Sequence, residues 1–210
     1  MSPDRSGVGG GRRRAEPPAE SRRDELVLAA YRELAQRGFE GLRTREIAAA
    51  VGVNIATLHY YFPHKQDLVR SVVGHAMTRF RSTLSPEGAP ADRLHAHFEG
   101  LRRLSREEPE LFRVMGELAL RAARDPEMAT ILRKTDDAWH ETLRGLIDAA
   151  QREGAVSRDL DAESTSALIV AALKGTYLLP ASSGQPRRLD QALRGLERGL
   201  GIDAARAGRR

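Results

Sequence analysis

Apolar side chains make up 40% of the 210 residues and aromatics only 5%, enough for a core but poor in strand formers, so an all-α protein is expected. The chain has no cysteine, which excludes disulfides, thiolate catalysis and cysteine-ligated zinc, and no apolar run approaches the ~20 residues of a membrane span. The formal charge of +5 sits in the tails: six Arg face three acids in residues 1–23, three Arg face Asp203 in residues 203–210, and the stretch between is neutral. Basic tails suit a polyanionic partner or simply a solvated end. The N-terminal arginines precede no apolar stretch, so they form no secretory signal, and a cytoplasmic protein is expected.

Residues 1–20 are rich in Gly, Pro and Arg without periodicity and are expected to be a disordered basic tail. A helix is expected from Ser21 as N-cap, with Leu26, Ala29, Ala30, Leu34 and Ala35 on its inner face, stopped at Gly38. Thr44 offers a cap hydroxyl to a second helix whose inner face is Ile47, Ala48 and Val51. After Gly52, Asn54 caps a third helix with Leu58 turned inward. Pro63 ends it, and a fourth runs from about His64 through Leu68, Val72, Val73 and Ala76 to Phe80. Amphipathic helices are expected over 91–106, 109–124 and 126–153, followed by a strongly apolar one over 161–179. A loop over 180–187 and a last helix over 188–200 complete about nine helices, with 203–210 a second disordered tail.

The informative stretch is Thr44 to Lys65, two short helices joined by a turn containing glycine. Ala48 lies where the helices cross, Gly52 supplies a positive φ, and Ile47, Val51, Val53 and Leu58 form a small shared core. The free face of the third helix can then enter a major groove. Phe62 reads as core. This segment resembles the TetR family of transcriptional regulators over residues 22–70, most densely in Ile47-Ala-Ala-Ala-Val-Gly-Val and Thr57-Leu-His-Tyr-Tyr-Phe-Pro-His-Lys-Gln-Asp-Leu. The resemblance implies a homodimer whose N-terminal domain, residues 21–70, reads a palindromic operator in double-stranded DNA. Residues 71–202 would bind a small ligand and dimerise.

Carried over position by position, the resemblance places Thr44 and Arg45 near the DNA backbone, with Arg45 able to reach a base. Ile55, Ala56, Thr57, His59 and Tyr60 present to base edges, and Tyr61 and Lys65 reach phosphates. Ile55 stands where polar residues are frequent and His59 where Tyr is usual. The first suits a thymine methyl, the second a purine acceptor or a phosphate. Arg12, Arg13 and Arg14 precede the first helix, where an arm can reach the minor groove.

An enzyme finds no support. His95 and His97 are two residues apart, on opposite sides of a helix, and cannot share an ion. Ser182-Ser183-Gly184 lies in a loop rather than a strand-turn-helix elbow, and neither a P-loop nor a dinucleotide glycine pattern occurs. No metal and no cofactor are expected. A DNA-bound adaptor that recruits a protein and senses no small molecule is the alternative to a ligand-controlled repressor.

In the C-terminal half Phe98, Phe112, Met115, Trp139 and Leu143 are the candidate ligand-lining residues, with His97 and His140 as polar partners, since pockets between bundle helices are mainly apolar. Helix 161–179 is apolar on more than one face, so it should touch its own domain and a second subunit. With helix 188–200 it can form a four-helix interface across a two-fold axis. A charge at Ile169 or Leu193 is expected to break that dimer.

Overall fold

Proline and short polar caps mark most of the helix starts. The computed structural model describes residues 19–178 and 185–202, and among these all regular structure is helical. The order is α1 (Ala19–Arg37), a 3-10 turn (Phe39–Gly41), α2 (Thr44–Val51), α3 (Ile55–Tyr61), α4 (Lys65–Arg81), α5 (Pro90–Glu107), α6 (Pro109–Ala122), α7 (Pro126–Arg152), α8 (Ala162–Tyr177) and α9 (Gln185–Leu200). Pro90, Pro109 and Pro126 stand at the first turn of α5, α6 and α7, where a missing N–H costs nothing. Asp125 and Asp161 cap α7 and α8 by accepting from backbone N–H groups.

Three boundaries differ from the sequence reading. Helix α1 begins at Ala19, so Ser21 lies inside its first turn rather than capping it. Arg43, not Thr44, holds the N-cap position of α2, and no side chain caps it. Helix α9 begins at Gln185, inside the expected loop, because Pro186 can occupy a first helical turn. The two basic tails beyond residues 19 and 202 lie outside the described residues.

Helices α1 to α3 form a head and α5 to α9 a body, and α4 belongs to both. At its far end Phe80 is buried against three aromatic rings, Phe112, Tyr177 and Trp139, with centroids 5.7, 6.0 and 6.4 Å away, the range in which aromatic pairs attract. Just beyond, Thr83 donates to the Phe80 carbonyl at 2.6 Å and contacts His97 Nδ1 at 2.6 Å. The chain passes so close here that a Cβ on Gly100 would come within 2.5 Å of Thr83.

Helix α9 is held to the body by charge as well as by Leu189, Leu193 and Leu200. Arg102 of α5 is buried and pairs with Glu197 and, at 3.1 Å, with Asp190 of α9, and with Glu99 of its own helix at 2.6 Å. Ile169 and Leu193 are closed within this protomer's own core. Charge there would unfold the body before it tested an interface, which corrects their choice as dimer probes. Uncovered positions include Ala167, Leu168, Ala171 and Gly175 on α8, Leu178 just beyond it, and Arg194, Gly195, Arg198 and Gly199 on α9.

His97 is completely buried, and burial lowers its pKa to about 3. In the unfolded chain the imidazole titrates near pH ~6.5. Between those values the unfolded state holds a proton that the folded state refuses, so stability falls as pH falls, by about 1.4 kcal/mol per pH unit from this residue. His97→Gln is expected to flatten that part of the slope. Urea unfolding of both proteins at pH 7 and pH 5 measures it, and parallel losses in the two would contradict it.

Candidate nucleic-acid interface and effector cleft

The second half of the helix pair is built on Asn54. Its side chain accepts from the Thr57 backbone N–H at 2.7 Å and from the Thr57 hydroxyl at 3.0 Å, starting α3 at Ile55. Gly52 takes φ 74° at the end of α2, a conformation that L side chains rarely adopt. Leu58 and Phe62 are 1% exposed and lock α3 onto the head. These two anchors fix the rotation of the helix.

Rotation decides what α3 shows. Ala56, His59 and Tyr60 are exposed, and Tyr60 is 80% exposed, the most of any large apolar residue described. Positions 56, 59 and 60 are three and four apart, so they share one face. Ile55, Thr57 and Tyr61 are half-buried beside that face, and the Tyr61 ring meets that of Tyr60 edge-on at 5.2 Å. The Thr57 hydroxyl proton is already given to Asn54, which leaves its methyl and a lone pair for another molecule. Thr44 is half-buried at the start of α2 and Arg45 is exposed beside it.

Lys65 opens α4, whose start is held by Asp67 accepting from the His64 backbone N–H at 3.1 Å. Its ammonium lies 4.6 Å from the centre of the Phe39 ring, and the guanidinium of Arg121 lies 4.8 Å from the same ring. Partial burial there lowers the Lys65 pKa. Phe39 also donates its backbone N–H to Glu117 of α6 at 3.2 Å. The lysine therefore stands at the seam of head and body.

In the body, an open cleft of about 900 Å³ runs between α4 and α7. Arg70 pairs with Glu127 at one end, and Phe80 stacks on Trp139 at the other, so the two helices run in the same direction along it. Trp139 lines this cleft, and Met115 lines a second one between α6, α7 and α8. Phe98, Phe112 and Leu143 are packed into the core and line neither. His97 is buried behind Trp139, its ring edge-on to the indole at 5.7 Å, and His140 is engaged by Ser166 of α8 at 2.9 Å. Sequence reasoning missed Gly74, Met77, Arg81, Ile131 and Lys134 on the cleft wall. A glycine inside a helical run, where it costs about 1 kcal/mol against Ala, was the signal available.

The comparisons follow this division. A model of "Bacterial regulatory proteins, tetR family" matches residues 26–72, and one of "BetI-type transcriptional repressor, C-terminal" matches residues 90–202. The nucleoid occlusion factor SlmA of Pasteurella multocida is 30% identical over 100 residues, 46% of this chain and 50% of that protein. The chain thus spans about half the length of that relative. The HTH-type transcriptional repressor BepR of Brucella suis biovar 1 is 26% identical over 179 residues, 79% of this chain and 83% of its own. A solved TetR-family transcriptional regulator from Rhodococcus sp. superposes with a TM-score of 0.73 and 25% identity, covering 86% of this chain and 99% of that one.

The cap on α3 gives a direct test. Asn54→Ala removes both bonds to Thr57 and is expected to cost about 1 kcal/mol. Because the loss is confined to the start of α3, amide exchange of residues 55–61 should speed up before that of α7. Uniform acceleration throughout the chain would show that the cap does not hold this helix separately.

Proposed function

Because the chain belongs to the TetR family of bacterial regulatory proteins, we propose that this DNA-binding regulator is a repressor that binds a palindromic operator as a homodimer and is released by a small, largely apolar ligand. The family is one of transcription factors rather than enzymes. The observation that carries the reading is the uncovered face of α3. Ala56, His59 and Tyr60 face outward while Leu58 and Phe62 hold the helix from beneath. A lone protomer gains nothing from so exposed an aromatic ring; a base edge in a major groove would cover it.

In this reading residues 21–70 read DNA and residues 71–202 sense ligand and dimerise, with the tails 1–20 and 203–210 outside both. Arg45, Ile55, Ala56, Thr57, His59 and Tyr60 meet base edges, while Thr44, Tyr61 and Lys65 meet the backbone. Helices α8 and α9 form the two-fold interface. Leu168 and Leu178 are 58% and 57% exposed, and a second α8 across the axis would cover them. The cleft between α4 and α7 favours ligand control over a purely adaptor role, since α4 carries the head at one end and lines the cleft along the rest. A ligand that shifts α4 changes the spacing of the two recognition helices. By linkage operator DNA should weaken ligand binding by the same factor, typically about 5–150-fold.

Purified protein is expected to select genomic fragments carrying an inverted repeat with half-site centres about 34–36 Å apart or slightly more. Lys65→Ala should weaken operator and random DNA alike and reduce the salt slope. Arg45→Ala and His59→Ala should each cost about 1–3 kcal/mol on the operator and relax specificity locally. Equal losses on both DNAs for all three would reject the assignment of base readers. For assembly the probe is Leu168→Glu, which leaves the protomer core untouched. Sedimentation should show a folded monomer, and operator affinity should collapse; full operator affinity from a verified monomer would refute the interface.

A further inference from the structure

The walls of the cleft between α4 and α7 carry an unbalanced charge. Val73, Met77, Phe80, Leu84, Ile131 and Trp139 supply its apolar lining. Around them stand three cations, Arg70, Arg81 and Lys134, against one acid, Glu127. That acid is already spent, because Arg70 bridges it and Asp67. Arg81 and Lys134 make no ion pair with any described residue. The hydroxyls of Thr130, Thr135 and Thr142 on the same wall donate to carbonyls one turn back in α7, so they leave the two free cations as the charged donors facing the opening.

Two further features bear on the occupant. Gly74 sits in the middle of α4 on the cleft wall, and a Cβ there would meet nothing within 4 Å. A helix gives up about 1 kcal/mol for such a glycine relative to Ala, and what it keeps is width. The volume of about 900 Å³ lies within the range of small-molecule sites, roughly 300–1,000 Å³. A cationic ligand would find no free carboxylate here and two repelling charges.

Resting on the reading of this cleft as the effector site, we propose that it takes an organic anion with a large apolar body. The body lies along Phe80, Trp139, Met77 and Ile131, and the anionic group is held by Arg81 and Lys134. The walls are α4 itself and α7, so the ligand sits between the element that carries the recognition helix and the body that anchors it. The neighbouring Arg70 to Glu127 pair, which ties α4 to α7, is then within the same charged environment and is open to competition by a second acceptor on the ligand.

The probe is anilinonaphthalene sulfonate, an apolar dye with an anionic group, beside phenylnaphthylamine, which has the same ring body without the sulfonate. Both are titrated into the full folded chain by fluorescence, with no DNA present, so the result does not depend on operator binding. The double substitution Arg81→Gln with Lys134→Gln is expected to weaken the sulfonate by about tenfold or more, as loss of charge-assisted contacts does, and to leave the uncharged dye unchanged. Gly74→Leu should weaken both dyes by filling the cleft. Decanoate should displace the sulfonate, and decyltrimethylammonium at the same concentration, below micelle formation, should not. Equal losses of the two dyes in the charge variant, no effect of Gly74→Leu, or displacement by the cation would each overturn the proposal. Circular dichroism of each variant identifies misfolding, and in that case Arg81→Lys with Lys134→Arg, which keeps both charges, must bind the sulfonate like the parent chain or the proposal fails. Operator binding measured separately, with and without decanoate, reports on repression and release: decanoate that binds without changing operator affinity leaves the anion site standing and removes the switch.

Discussion

Everything distinctive about this molecule depends on Phe80 being held among Phe112, Trp139 and Tyr177 while the same helix begins at the seam beneath α3. A 17-residue helix is about 25 Å long, so a fixed far end and a stiff rod leave the near end few positions. Three aromatic contacts with little exposed area make that far end expensive to move, since a close-packed core has discrete arrangements rather than a continuum. The head takes its placement from the body through this rod and through α1, which packs directly on α6.

The charged ties between head and body are of a different kind. Arg70 with Glu127 and Arg79 with Glu108 link α4 to the starts of α7 and α6. All four side chains are partly or largely exposed, so each pair contributes little to stability. Both carboxylates stand at helix starts, where the dipole already favours negative charge. Phe39 between Lys65 and Arg121 adds a small cation–π contact at the seam. The joint is therefore held in its geometry by packing, and the exposed charge pairs add orientation rather than stability.

Helix α9 shows the opposite design. Arg102 and Glu197 are both buried, and removing one partner would strand the other charge away from water, a loss of about 3–5 kcal/mol. Such a pair contributes less to net stability than to orientation. It fixes which face of α9 packs on α5, and therefore leaves Gly195 and Gly199 outward. The rotation of α9 is thus set by charge inside the protomer.

The sequence by itself determined the helices and the head. Local rules decide both: Asn54 caps α3, Gly52 takes a positive φ, Pro90, Pro109 and Pro126 open helices, and the spacing of Leu58 and Phe62 sets which face of α3 is free. Each of these acts over a turn or two of chain, so composition and spacing carry it. The tertiary structure alone decided the cleft and the faces. An amphipathic pattern marks Phe98, Phe112, Trp139 and Leu143 as apolar but cannot say which of them touches another helix and which borders a gap. That depends on how far α4 and α7 diverge between Arg70 and Trp139. Likewise Ile169 and Leu168 are adjacent and equally apolar, yet one is fully buried and the other 58% exposed. A helix that is apolar on several faces has no single moment to orient it, so only its packing against α6, α7 and α9 assigned one face to the core and left the other uncovered.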